Sequence, residues 1–162
     1  MLDEFQRFFK KQYHDANTAE RYRIAMETAF PEASVADYTP LISLIELPDV
    51  NDRHVVACAI KTKASVIVTE NLKDFPIHVL APYDLFAIGI DDFIADTIDL
   101  APIDAVTAIR LMRARFRNPK LTPNELMVRI EKIGLTQTAS LLERYADFLK
   151  PLRLFDSFGT PS

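Results

Sequence analysis

The chain has 162 residues, 49% of them hydrophobic, and a formal net charge of −4, enough apolar material for one ordinary domain or a domain with a helical appendage. The acidic balance excludes wholesale coating of nucleic acid while leaving room for a local basic face. A single cysteine, Cys58, excludes an internal disulfide and a cysteine-rich zinc site; with no signal-peptide pattern and no apolar run of membrane-spanning length, a soluble cytoplasmic protein is expected.

In chain order, "LDEFQRFFKKQYH" (2–14) places Leu2, Phe5, Phe8 and Phe9 at helical spacing. "NTAERYRIAMETAFP" begins with a capping box, Asn17 as N-cap and Glu20 three residues on, and Pro31 stops the helix. "ASVADY" (33–38) reads as a short strand and 39–51 as loop. Asn51 or Asp52 then caps a helix whose Val55, Val56, Ala59 and Ile60 face inward, with Cys58 as a buried small hydrophobe. "ASVIVTE" (64–70) is β-branched and continuously apolar, as a strand covered on both faces would be, and "IHVLAP" (77–82) reads as another strand. Alternating helix and strand from 17 to 82 predicts an α/β class with a parallel sheet.

After Pro82 no further strand is predicted. "PYDLFAIG", "IDDFIADTID", "PIDAVTAIRLMRARF", "TPNELMVRIEKIG" and "TQTASLLERYADFL" all read as helices. The fourth carries the fullest punctuation: Thr122 as N-cap, Pro123 at the first helical position, Glu125 closing the box and Gly134 as the stop. The expected organisation is an α/β part over 1–82 and a helical extension over 83–162.

Polar residues collect where this layout puts a ligand, beyond strand ends and beside helix starts. Asp52 opens a helix, Asn71 follows the "SVIVT" strand with Glu70 and Asp74 nearby, and Glu4 lies in the first turns of the first helix. A magnesium or manganese ion takes hard oxygen ligands, usually one or two of them carboxylates. On spacing alone, however, an acid at a helix start is more often a cap than a ligand.

The block "LPDVNDRHVVACAIKTKASVIVTENLKDFP" (47–76) resembles the second half of a PIN domain of the VapC-like toxin branch. "LDEFQRFF" resembles the helix carrying that family's earlier glutamate, and "RNPKLTPNELMVRIEKIGLTQTASLL" a helical extension found in one bacterial subgroup. The resemblance implies a PIN-like α/β/α fold and a metal-dependent ribonuclease that uses Mg2+ or Mn2+ on RNA, with an antitoxin protein as a possible partner. It implies Glu4 and Asp52 as metal ligands, Asn71 at a place often held by aspartate, and Asp74 as a fourth catalytic position. Asp49 reads as a structural part of the loop.

The family opens on a strand ending in aspartate, and this chain begins within the later glutamate helix. The resemblance therefore implies an N-terminally truncated fold, lacking that strand and ligand. The flanking strands could pair directly, a second copy could swap in to form a homodimer, or the tail could insert. In that last case "LFDS" within "LRLFDSFG" (152–159) would supply Asp156. The same departure supports a second reading, a catalytically inactive remnant or a subunit acting through protein–protein association.

Arg110, Arg113 and Arg117 fall on one helix face with Arg115 and Lys120 adjacent, and no acid interrupts 105–124. Contact with RNA phosphates is one reading; a solvated face complementing the helix dipole is the other. His54 beside Asp52 reads as a hydrogen-bonding packing residue, His14 and His78 lack metal spacing, and Phe75 and Pro76 are placed to wedge a turn against the core.

Overall fold

The computed structural model describes residues 2–13 and 15–150. The proposed insertion of Asp156, and His14, lie outside the described residues. The described chain forms two compact units, 1–65 and 66–162.

The first unit is helical. Helix α1 (Leu2–Tyr13) packs on α2 (Ala16–Ala29). Phe9 joins them, its ring 5.7 Å from Phe5 and edge-on to Tyr22 at 5.5 Å, the offset geometry aromatic pairs prefer. The cap of α2 is Asp15, not Asn17: Asp15 accepts from the Thr18 N–H at 2.9 Å and the Thr18 hydroxyl at 2.6 Å. The Asp15 carboxylate takes an orphan donor ahead of those that an Asn17 cap would reach, so the helix starts earlier.

"ASVADY" is no strand. Pro31–Ala33 forms a 3-10 turn and Asp37 takes a left-handed φ of 58°, which breaks an extended run. Within the expected loop, Thr39–Ile42 forms the short helix α3 behind Pro40. It packs against α4 (Arg53–Thr62), where Val56, Ala57, Cys58 and Ala59 are buried. Burial also pushes the Cys58 thiol pKa up, in keeping with an inert packing residue.

The second unit contains the sheet. Strand β1 (Val66–Val68) pairs in parallel with β2 (Phe86–Ile88), in the register Val66 with Phe86, Ile67 with Ala87 and Val68 with Ile88. The first strand was expected; the second falls in "PYDLFAIG", which had read as a helix. The strand's three residues, within the four that separate the left-handed Asp84 from the α6 cap Gly89, are too few to display an alternating pattern. Nor is β1 covered on both faces, since Val68 is 41% exposed while Ile67 is buried. "IHVLAP" is not a strand either. Pro76 at the N-cap starts the short helix α5 (Ile77–Leu80), and Pro82 sits in the 3-10 turn Ala81–Tyr83 that follows.

Four helices complete this unit, at the positions expected: α6 (Ile90–Leu100), α7 (Pro102–Ala114), α8 (Pro123–Lys132) and α9 (Thr136–Glu143). Ile98, Val106, Met127, Leu141, Leu142 and Leu149 form their common core. The α8 capping box is present in full, with Gly134 at a φ of 94° just past the end. The described chain is thus α/β and mostly helical, with a two-stranded parallel sheet.

Candidate functional site

Between Leu47 and α4 the backbone makes a 3-10 turn, Val50–Asp52. Asp49 caps it, accepting from the Asn51 backbone N–H at 2.8 Å and the Asn51 amide at 2.9 Å. Side chains at i and i+3 eclipse in this geometry, which puts a carboxylate oxygen of Asp49 within 4.8 Å of one from Asp52. Both residues are half-buried. At effective dielectric constants of 20 to 80, two full charges at that distance repel by about 1 to 3.5 kcal/mol.

Asp52 sits at the α4 N-cap position yet makes no side-chain cap hydrogen bond. Its backbone is already helical, with φ −87° and ψ −7°, whereas a capping side chain reaches its donors from an extended backbone. Neither Asn51 nor Asp52 caps α4 as expected; the side-chain cap belongs to Asp49, on the 3-10 turn ahead of it. The close acid pair also went unforeseen at Asp49. Its signal was the D-x-x-D spacing of "DVND", legible only once the turn is known to be 3-10.

His54, in the first turn of α4, lies 2.6 Å through Nδ1 from the Asn51 carbonyl oxygen. Only an N–H can face a carbonyl, so Nδ1 carries the proton and Nε2 is left for other partners. Nε2 lies 3.8 Å from Glu4 Oε2 of α1. Within the first unit, then, the structure brings Asp49 to Asp52 and Glu4 to His54.

In the second unit β1 leads into Thr69, whose N–H extends the ladder to Ile88 O at 2.9 Å. The Asn71 N–H donates to Thr69 Oγ1 at 3.1 Å, and its side-chain amide donates to Asp74 at the end of the 3-10 turn Leu72–Asp74. With the Asn71 amide nitrogen turned toward Asp74, its oxygen can serve as a ligand. Glu70 has a structural duty instead, accepting from the Ile90 N–H at the start of α6 at 3.3 Å. Phe75 is buried behind this turn, the wedge expected of it.

The basic residues belong to this unit too, with one change of geometry. Helix α7 stops at Ala114, so Arg115 is its C-cap and Arg117 lies beyond it; Asn118–Pro119 disfavours continuation. Arg110, Arg113, Arg117 and Lys120 nevertheless line one hollow. Arg113 is 8% exposed, and its guanidinium donates to Leu149 O at 3.0 Å and Leu121 O at 2.5 Å.

The donor set of the acids fits a hard divalent cation: every side chain offers oxygen, and the Asp49/Asp52 pair is a like-charge arrangement that such an ion would relieve. A thiol or an imidazole cluster, which would favour zinc, is absent from the described residues around them.

Two family models and one curated protein match parts of this chain. The PIN domain family matches residues 1–73, and the VapC50 C-terminal domain matches residues 90–144. A curated protein of Mycobacterium tuberculosis (strain ATCC 25618 / H37Rv), named "Putative ribonuclease VapC50", is 42% identical over 76 residues. That match covers 47% of this chain and 45% of the relative, so the chain spans less than half of the relative's length. No solved structure matches. Among the described residues, no helix is long and apolar enough to cross a membrane.

Proposed function

From a chain that is of PIN type over 1–73 and of the VapC50 C-terminal type over 90–144, we propose a metal-dependent endoribonuclease that hydrolyses RNA phosphodiester bonds. The observation that carries the reading is the Asp49/Asp52 carboxylate pair, within 4.8 Å at the start of α4. Glu4, Asp49 and Asp52 would hold Mg2+ or Mn2+, with Asn71 and Asp74 contributing as the family resemblance implies. Such an ion, when bound, supplies charge neutralisation at the phosphate and acidifies a water.

The chain's own residues have separable roles. Asp49 fixes the 3-10 turn through Asn51 and thereby sets where Asp52 projects. His54, anchored by the Asn51 carbonyl, presents Nε2 toward Glu4 and would orient that carboxylate. Arg110 and Arg117 would hold RNA phosphates as fixed cations, with Arg113 supporting them from below. An antitoxin protein is the partner the family implies. A homodimer is proposed because a two-stranded sheet of three-residue strands is marginal alone; a monomer by light scattering at micromolar concentration would remove that element.

Isothermal titration with Mn2+ and Mg2+, run beside cleavage of a labelled RNA, tests the reading. The intact chain should bind the ion and cleave, and Asp52→Ala should do neither. No heat of binding and no cleavage by the intact chain would overturn it. That outcome would favour the second reading, a non-catalytic subunit, for which the amide at Asn71 in place of an acid speaks.

A further inference from the structure

The end of α7 and the segment after it are one-sided in charge. Arg110, Arg113, Arg115, Arg117 and Lys120 supply five cations between residues 105 and 124, with no Asp or Glu, in a chain whose net charge is −4. All but Arg115 line a hollow of about 630 Å3, together with Phe116 and Leu111. That volume is in the range of small-molecule sites, about 300–1,000 Å3.

A helix C-terminus attracts cations, but it carries only about half a negative charge. Four cations on one hollow exceed what the dipole calls for. None of the four forms a salt bridge among the described residues. Instead the wall holds an aromatic ring: Phe116 stays 40% exposed and Leu111 55% exposed. Cations interleaved with an exposed ring suit an anion that carries a flat apolar face.

The floor is rigid. Arg113 Nε and Nη1 are fixed by the carbonyls of Leu149 and Leu121, and Nη2 makes no hydrogen bond among the described residues. The guanidinium plane is thus held before any ligand arrives, which lowers the ordering cost of binding.

We propose that this hollow is a nucleotide subsite for single-stranded RNA. It takes backbone phosphates at Arg110, Arg117 and Lys120, over the fixed Arg113, and lays a base against Phe116. The choice of RNA among polyanions rests on the ribonuclease reading above. The choice of a single strand rests on the ring: bases in a duplex are stacked on each other, whereas an unpaired base has a free face to stack on an aromatic side chain.

The test is equilibrium binding of a labelled single-stranded decanucleotide RNA to the full chain in EDTA, across a series of salt concentrations. Working without metal separates this proposal from catalysis, because retained binding with no cleavage in added Mn2+ overturns the ribonuclease reading alone. With three phosphate-neutralising cations, log K should fall against log salt with a slope of about −2. Arg117→Ala and Lys120→Ala should each flatten that slope by about 0.7. Phe116→Leu should weaken binding roughly 5- to 100-fold at an unchanged slope, which a purely electrostatic surface would not show. Its half-exposed position keeps the fold, and an unchanged melting temperature checks this. A blunt RNA duplex of the same length and inorganic tripolyphosphate should compete poorly. Wild-type affinity in Phe116→Leu, equal competition by duplex or tripolyphosphate, or equal binding of a poly-glutamate peptide would each overturn the proposal.

Discussion

The start of α4 and the end of α7 both gather like charges, and they hold them differently. At α4 a 3-10 turn stacks Asp49 and Asp52 within 4.8 Å, a point-like concentration suited to one small cation. At α7 the cations spread over Arg110 to Lys120 around a hollow of about 630 Å3, suited to an extended anion. In each place one member has a structural duty that positions the others: Asp49 through Asn51, Arg113 through Leu121 and Leu149. The lesson is that formal charge alone does not identify a ligand-binding side chain. Its hydrogen bonds must be assigned before it is counted as a ligand.

The comparison breaks most visibly at Asp52. If Asp52 is the ligand and Asp49 the brace, Asp52→Ala should lower RNA cleavage by roughly 100-fold or more, the loss of several kcal/mol of charge stabilisation. Its melting temperature without metal should change little by comparison, since Asp52 makes no side-chain cap hydrogen bond to α4. A fall in metal-free stability would assign Asp52 to the fold instead.

Arg113→Met is the next largest effect, and it falls on stability. The substitution keeps the apolar stem but strands two carbonyls, at about 1–3 kcal/mol for each group left buried without a partner. Chemical denaturation should show a loss of about 2 kcal/mol or more. A negligible loss would mean that water takes the place of the guanidinium. Asp49→Ala should cost less, about 1 kcal/mol, as the loss of a cap. It should also weaken Mn2+ binding in the titration described above; unchanged binding would leave Asp49 as a brace with no bearing on the ion.

How far these duties were legible depends on the reach of the interaction that sets them. The box Thr122–Glu125 on α8 is complete within four residues, and the sequence announced every part of it. Helix α9 begins only a few residues beyond α8, yet its own flanks show no side-chain cap. The acceptor is Asp91, more than forty residues earlier, which takes the N–H groups of Gln137 at 2.7 Å and Thr138 at 2.9 Å. No local pattern could expose that. The same limit hid β2, whose three residues become a strand only by pairing with β1, and the helical turn of "IHVLAP", where Pro76 outweighed a β-branched run. At the candidate site, the residue types and their positions beside helix starts and strand ends were readable. The division of labour between Asp49 and Asp52 was not, because it depends on a 3-10 turn.

Asp91 gives the smallest effect and the sharpest contrast with the acids of α4, since its acceptors are already filled by backbone. Partial burial pushes its carboxyl pKa up, but the Thr138 and Gln137 N–H groups and the Thr138 and Thr136 hydroxyls outweigh that and hold it below the usual aspartate value. A depressed folded-state pKa means stability that is complete above the unfolded value, near pH ~4, and lost as pH falls through the lower folded value. Asparagine caps about as well as aspartate, so Asp91→Asn should cost only a few tenths of a kcal/mol at pH 7. Its signature lies in the acid limb: the variant's melting temperature should fall less steeply than the wild type's below about pH 4. Parallel acid limbs would mean that the Asp91 bonds to α9 do not depend on its charge. A variant no more acid-resistant than wild type, yet deficient in RNA cleavage, would move Asp91 from the scaffold to the site.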